Sequence, residues 1–265
     1  MLTLPHKYKL LGESLMDSNI TKKKFAKREY IYRKRIPYGM MNFVSVRRDD
    51  CYYVDKTPYI EDIERSNKFF FYIRPRRFGK SLTLSMLKQY YDINMADRFE
   101  ELFGGLYIGE NPTPEHNTYL IISLNFAVVD ANLENYKKGL DAHCNTEFNY
   151  FCDVYAQYLP ANLKEEMNKK DGAAEQLDYL CKECKKTGQK VYLFIDEYDH
   201  FTNTILAEPD CLNSYQAETH GTGYLRKFFD TIKSATDSTL ERVFVTGVSP
   251  VTMDDLTSGF NIGTN

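Results

Sequence analysis

The sequence predicts an α/β fold whose mostly parallel sheet is covered by helices on both faces. Short apolar runs alternate with longer segments of helical spacing, and turn residues separate the two kinds of segment. Alternation of this kind is typical of sheets in which a helix connects successive parallel strands. Four strands are predicted, at residues 69–73, 119–126, 191–195 and 242–246.

The first half of the chain supplies two of these strands. Residues 1–35 are predicted to be irregular or weakly helical, and a turn at residues 36–39 follows them. Pro58 can open a short helix because its fixed φ suits the first helical position. Phe69–Ile73 is a continuous apolar and aromatic run that suits a buried strand, and Lys80–Tyr91 has apolar residues at helical spacing. A loop is predicted before the second strand, at residues 111–117.

The second half supplies the other two strands and three longer helices. The helices are predicted at residues 133–158, 173–186 and 224–234. Pro160 and the turn at Asp171-Gly172 separate the first two of them. Residues 203–222 contain Pro209 and Gly221 and are predicted to form a long loop or insertion.

Positive charge is concentrated near the N-terminus. Residues 1–48 hold 12 lysines and arginines against three acidic residues, whereas the whole chain holds 34 against 37. A basic segment can contact nucleic acid or an acidic partner surface, but a charge run is also ordinary in a solvated leader. We expect a basic N-terminal leader at residues 1–35, with nucleic-acid contact as the alternative.

The composition is that of an ordinary globular protein, with 43% apolar and 27% charged residues. No apolar run approaches the roughly 20 residues that span a bilayer, and the N-terminus lacks a signal-peptide core. A cytoplasmic protein without membrane contact is expected. The six cysteines include one Cys181-x-x-Cys184 pair but no second pair to complete a zinc site, so reduced thiols are expected.

A phosphate-binding loop is predicted between the first strand and the following helix. The pattern Gly-x-x-x-x-Gly-Lys-Ser/Thr appears as Arg74-Pro-Arg-Arg-Phe-Gly-Lys-Ser81, with arginine at the first glycine position. Lys80 would reach the β- and γ-phosphates, and Ser81 would place its hydroxyl on Mg²⁺. A plain strand-to-helix turn is the alternative. The residues predicted to contact the nucleotide are Arg76, Arg77, Phe78, Gly79, Lys80, Ser81 and Leu82.

An acidic pair ends the third strand and forms a Walker-B-like element. Asp196 can hold Mg²⁺ there, and Glu197 is placed to orient and activate an attacking water. The alternative is a strand that runs into an acidic loop.

Two further positions leave alternatives open. Thr246, at the end of the fourth strand, is predicted either to contact the γ-phosphate or the water, or to form only an exit turn. Asp55-Lys56-Thr57 can line a nucleotide pocket from outside the sheet, or Thr57 can cap the helix that Pro58 opens.

The chain resembles the predicted AAA-ATPase-like family over residues 35–265. A Pro-Arg-Arg-x-Gly-Lys core is also similar to archaeal-type STAND ATPases. The motifs that carry the family resemblance are Ile36-Pro-Tyr-Gly39, Tyr53-Val-Asp-Lys-Thr57, Arg74-Pro-Arg-Arg-Phe-Gly-Lys-Ser81, Asp196-Glu-Tyr-Asp199, Thr246-Gly-Val-Ser-Pro250 and Asp255-Leu-Thr-Ser-Gly-Phe-Asn-Ile262.

This resemblance implies a P-loop NTPase fold of the additional-strand, catalytic-glutamate type. The expected architecture is a three-layer αβα sandwich in which the fourth strand lies between the phosphate-loop strand and the Walker-B-like strand. The domain at residues 36–265 is expected to be incomplete at its C-terminal end, without its last strand and lid. Many relatives carry a PD-(D/E)xK nuclease-like domain after the ATPase.

The function expected from these motifs is ATP binding with Mg²⁺ and ATP hydrolysis. Glu197, Lys80 and Thr246 are the predicted catalytic residues, and Ser81 and Asp196 are the predicted metal ligands. The ATPase would act as a regulatory switch or motor for an unidentified protein partner or a C-terminal domain, with homo-oligomerisation as a further expectation. The alternatives are a nucleotide-binding scaffold without turnover and a nucleic-acid-associated protein. A P-loop kinase is disfavoured by Glu197.

Overall fold

The computed structural model describes residues 9–13, 25–29, 34–129, 136–200 and 223–249. The chain divides into two compact units. The first comprises Met1–Met40 and Ser45–Val54, and the second comprises Met41–Val44 and Asp55–Asn265. The predicted boundary between a leader and the main domain at residue 36 remains a prediction.

The first unit contains a two-stranded antiparallel sheet. Strand β1 is Lys9–Glu13 and strand β2 is Phe25–Glu29, with an irregular register at Leu10. The expectation of irregular or weakly helical chain is therefore wrong for these two segments. Lysine and glutamate are depleted in strands, and the pairing joins residues distant in sequence, so local pattern does not reveal it.

The second unit is built on a parallel sheet of four strands. These are β3 (Phe69–Ile73), β4 (Tyr119–Asn125), β5 (Lys190–Asp196) and β6 (Arg242–Gly247). Their order across the sheet is β3-β6-β5-β4, and every neighbouring pair is parallel. The predicted α/β class, the four strands and the position of the last strand are confirmed.

Helices complete the described part of the chain. In chain order they are α1 (Phe43–Arg48), α2 (Tyr59–Arg65), α3 (Lys80–Tyr91), α4 (Phe99–Phe103), α5 (Tyr107–Glu110), α6 (Tyr136–Val154), α7 (Leu163–Asn168), α8 (Gly172–Lys186) and α9 (Tyr224–Thr236), with 3₁₀ helices at Ile93–Arg98, Phe126–Val128 and Ala156–Tyr158. The predicted helix at 133–158 is shorter in its described part. The loop predicted at 203–222 lies outside the described residues, as does the expected C-terminal incompleteness.

The two faces of the sheet pack against different helices. Phe69 and Phe71 of β3 belong to the main hydrophobic core, which includes buried residues of α6, α8 and α9. On the opposite face, the Tyr192 ring of β5 contacts the Tyr91 ring of α3, with centroids 5.0 Å apart. Side chains alternate along each strand, so each face of the sheet receives its own apolar set.

A charged clamp closes the amino ends of the strands. Arg242, the first residue of β6, donates to both carboxylate oxygens of Glu115 at 2.9 Å and to the Glu64 carbonyl at 2.9 Å. Burial acts to raise the pKa of Glu115, but hydrogen bonds from Arg242 and Tyr119 outweigh it, and the pKa is lowered. The carboxylate is therefore held in its charged form.

Five cysteines in the described residues are free and buried, as the expectation of reduced thiols requires; they are Cys51, Cys144, Cys152, Cys181 and Cys184. Cys211 lies outside the described residues. None of the helices in the described ranges is both long enough and apolar enough to cross a membrane.

Candidate functional site

The predicted site residues follow strands whose carboxyl ends meet at one edge of the sheet. Lys80 lies beyond β3, Asp196 ends β5, and Thr246 is the penultimate residue of β6, which lies between those two strands. Parallel α/β sheets bind ligands in the crevice beyond these strand ends.

Backbone hydrogen bonds join the loop after β3 to the end of β6. The Arg74 N–H donates to the Gly247 carbonyl at 3.2 Å, so the first loop position is fixed to the residue after Thr246. The Arg74 guanidinium donates to the Ile73 carbonyl at 2.8 Å and lies 5.0 Å from the centre of the Tyr72 ring. This arginine therefore caps the end of β3 with its own side chain.

The loop places its left-handed residues at Arg77 and Gly79, with φ of 68° and 79°. Arg74 is not among the described residues with positive φ. An arginine at the first glycine position therefore introduces no left-handed strain there, whereas Arg77 adopts a conformation that side chains disfavour. Arg76, Arg77 and Phe78 are exposed.

Lys80 is buried at the beginning of α3, with 5% of its surface exposed. Its ammonium group donates to the Pro75 carbonyl at 3.3 Å and so lies within the loop. The first hydrogen bond of the helical ladder is donated by the Thr83 N–H to the Gly79 carbonyl, at 2.9 Å. The preceding N–H groups, those of Lys80, Ser81 and Leu82, have no partner within the helix, as is usual in a first helical turn.

The structure brings Asp196 and Thr246 into direct contact. The Thr246 hydroxyl donates to Asp196 Oδ1 at 2.8 Å, and the Glu197 N–H donates to the same oxygen at 3.1 Å. Thr246 is fully buried and Asp196 is 8% exposed. The carboxylate is thus oriented from two sides.

Glu197 itself has a left-handed backbone, with φ of 55°. It is half-buried, and the next residue donates its N–H to the Thr246 carbonyl at 3.1 Å. A glutamate in this region costs about 1–3 kcal/mol and persists where the surrounding structure enforces it.

Asp199 holds the segments after β5 and β6 together. Its fully buried carboxylate accepts from the Val248 N–H at 3.0 Å and from the Ser249 N–H at 2.6 Å. A Cβ at Gly247 would overlap the Tyr198 ring, so the close approach of the two segments requires glycine there.

Lys56 also lies at the loop, although it is absent from the predicted site residues. Its Nζ is 4.0 Å from the position that a Cβ would take at Gly79. Thr57 does not cap α2, because the residue before the helix is Pro58 and no side chain caps it. The Thr57 hydroxyl instead donates to Asp55 at 2.7 Å, so the capping interpretation is wrong.

Two half-buried side chains support the end of β4 beside the site. His143 Nε2 accepts the Asn125 N–H at 3.1 Å, and burial lowers the pKa of His143. The Lys88 ammonium donates to Ser123 Oγ at 3.1 Å. Burial lowers the pKa of Lys88, against the opposing effect of the Asp196 charge.

The chemistry of the donor set fits a magnesium nucleotide. Mg²⁺ takes oxygen ligands and is commonly held by one or two carboxylates together with phosphate oxygens. Within the described ranges no group of three histidine, cysteine, aspartate or glutamate side chains could hold a metal by itself. Ser81 and Asp196 would supply hydroxyl and carboxylate oxygens, and the remaining ligands would come from phosphate and water.

A parallel α/β sheet with this loop at its carboxyl edge defines a P-loop NTPase-like protein. The family model described as "Predicted AAA-ATPase" matches residues 37–257. The chain therefore belongs to the AAA-ATPase-like family, and this membership supports nucleotide binding.

One curated relative extends the comparison. The chain is 29% identical over 233 residues to the protein described as "Uncharacterized protein in vnfD 5'region" of Azotobacter chroococcum mcd 1. The aligned region covers 86% of this chain and 40% of that relative. No solved structure gives a significant match.

Proposed function

We propose that the chain binds ATP with Mg²⁺ at the loop of residues 74–81 and hydrolyses it to ADP and phosphate. Two hydrogen bonds carry the proposal: the Arg74 N–H donates to the Gly247 carbonyl, and the hydroxyl of the preceding residue, Thr246, donates to Asp196. These contacts support a single site made from the loop and the acidic strand end, which are about 115 residues apart in sequence.

Each residue has a role that follows from its position. Lys80 places a positive charge within the loop and would neutralise phosphate oxygens, while the first-turn N–H groups of α3 would donate to them. Ser81 and Asp196 would hold Mg²⁺, which would supply positive charge to neutralise the phosphates. Thr246 donates to Asp196 and so orients this carboxylate.

Glu197 would accept a proton from the attacking water. A carboxylate in this role contributes about 10²–10⁴-fold to the rate of a reaction. Its strained backbone supports the assignment, because backbone strain clusters at functional positions.

Two variants test the proposal. Lys80→Ala is expected to weaken binding of magnesium ATP, measured by calorimetry, because the loop loses its buried cation. Glu197→Gln is expected to bind ATP normally but to release phosphate at least about 100-fold more slowly. Lys182→Ala, at an exposed lysine of α8, is the matched control for the first substitution.

Three results separate the candidate functions. ATP binding that is unaffected by Lys80→Ala contradicts the proposed site. Phosphate release that is the same in wild type and Glu197→Gln indicates a nucleotide-binding scaffold without turnover. Loss of release in Glu197→Gln with retained binding supports the ATPase.

A role in controlling a partner is a second part of the proposal. The chain spans about 40% of the length of the curated relative that it matches. We propose that nucleotide state controls a protein partner or a further domain. Co-purification in the presence of ATP and of ADP tests this role, because a switch requires different partner occupancy in the two states.

A further inference from the structure

A cavity of about 360 Å³ lies beside the phosphate loop, at the edge of the sheet formed by β3. Its walls come from α2, β3, α3 and β6. Arg74, the first loop residue, and Thr83, in the first turn of α3, both line it. The cavity is therefore continuous with the loop, and its volume falls within the range of small-molecule sites.

Aromatic rings form much of the cavity wall. The Phe70 and Phe244 rings stack at 5.5 Å with an interplanar angle of 14°, and the Tyr72 ring lies 5.9 Å from Phe244. Tyr59 also lines the cavity and is 63% exposed. A flat heteroaromatic ring is the ligand group that such walls favour, because stacking requires a planar partner.

Lys56 lies where the cavity meets the loop. It lines the cavity, and its Nζ is near Gly79. Asp55 fixes the backbone on one side of it by accepting from the Thr57 N–H and the Tyr107 N–H, both at 2.8 Å. The Ile108 N–H donates to Thr57 Oγ1 at 3.2 Å. This lysine is thus held at the loop by its anchored neighbours.

The Lys56 ammonium has no ion pair with any residue in the part of the chain that the structure describes. A positive charge at a phosphate-binding loop, without a carboxylate partner there, is suited to an anionic ligand. The same side chain also borders the aromatic cavity. A ligand with a planar ring at one end and phosphates at the other would satisfy both features.

We propose that this cavity binds the purine base of the nucleotide whose phosphates lie on the loop of residues 74–81, and that Lys56 contacts the phosphate chain. The inference rests on the proposed nucleotide site and assigns its nucleoside half. Tyr72 and Thr83 line the cavity from outside residues 74–81; the Tyr72 ring also contacts the Arg74 guanidinium, whereas no contact of the Thr83 side chain with the loop is recorded in the part of the chain that the structure describes. Both are half-buried rather than part of the fully buried core.

The test compares ATP with inorganic tripolyphosphate, which has the phosphates but no base. Tyr72→Leu removes a stacking ring, and Thr83→Met places a longer side chain into the cavity. Each is expected to weaken ATP binding about tenfold, which corresponds to about 1.4 kcal/mol, and to leave tripolyphosphate binding unchanged. Lys56→Met is expected to weaken binding of both ligands by a similar factor, because it removes a phosphate contact.

Tyr150→Leu and Lys138→Met are the matched controls, at exposed positions of α6, and are expected to change neither affinity. Thermal unfolding of every variant separates loss of folding from loss of binding. If Tyr72→Leu does not fold, Thr83→Met decides the outcome alone.

Two results would overturn the inference. One is ATP affinity equal to wild type in both cavity variants, and the other is an equal loss of ATP and tripolyphosphate affinity in both. Failure of the proposed function has a different signature, because wild type would then bind ATP no better than Lys80→Ala does. Wild-type binding that depends on Lys80, together with unchanged cavity variants, rejects the base site alone.

Discussion

The left-handed backbone of Glu197 leads to a prediction about stability. Its φ is 55°, a region that glycine enters freely and that other residues disfavour. Glu197→Gly and Glu197→Ala both remove the carboxylate, and they differ only in the Cβ. The interactions of the glutamate carboxylate are absent from both variants, so their effect on stability cancels when the two are compared.

The expected difference follows from two opposing effects. Relief of the left-handed strain favours the glycine variant by about 1–2 kcal/mol. The greater freedom of glycine in the unfolded chain opposes this by about 0.4–1 kcal/mol. We therefore expect the glycine variant to unfold with a free energy roughly 0.5–1 kcal/mol higher than that of the alanine variant.

Urea unfolding of both variants measures this difference, provided that their m-values agree. Lys182, an exposed residue within α8, supplies a control of opposite sign. There the glycine variant is expected to be less stable than the alanine variant by about 1 kcal/mol. If glycine is also the less stable variant at position 197, the reasoning from backbone strain is refuted.

The same pair of variants connects strain to activity. Both lack the proposed acceptor of the water proton, so both are expected to release phosphate far more slowly than wild type. A glycine variant that is more stable than wild type yet inactive would show a functional residue retained at the expense of stability.

Three further predictions concern the clamp, the end of β4 and the loop. Arg242→Met is expected to destabilise the protein by about 3 kcal/mol in urea unfolding, because Glu115 keeps a partly buried charge without its partner; a loss below about 1 kcal/mol would contradict this. The lowered pKa of His143 means that the unfolded chain binds more protons as the pH falls below 6.5, so stability decreases there. His143→Gln should therefore reduce the loss of stability between about pH 7.5 and about pH 5.5. An unchanged loss would show that His143 is not its source. Arg77→Gly is expected to unfold at higher urea than Arg77→Ala, and the reverse order would exclude strain at φ 68°.

The strands of the main sheet could be predicted because each is a local signal. Phe69–Ile73 is apolar throughout and agrees with the structure at both ends. Helix α3 could be predicted equally well, since its apolar positions repeat at helical spacing. The short helices α4 and α5 were not predicted, because a helix of four or five residues has too few turns to show a period.

The candidate site could be predicted only in part from the sequence. Motif spacing identifies Lys80 and Asp196, and parallel topology predicts that both lie at the same edge of the sheet. The sequence left Asp55-Lys56-Thr57 open between a pocket lining and a helix-capping turn. It could not decide between them, because the position of Lys56 depends on the hydrogen bonds that Asp55 accepts from residues as distant as Tyr107. The left-handed φ of Glu197 was equally hidden, because glutamate gives no sequence signal for such a conformation.

The Asp199 carboxylate joins the segment after β5 to the segment after β6, although the two are distant in sequence. Val248 and Ser249 cannot move away from the end of β5 without first breaking hydrogen bonds to a fully buried carboxyl group. A displacement that begins at Glu197, two residues before this carboxylate, would therefore pull directly on the chain as it leaves β6.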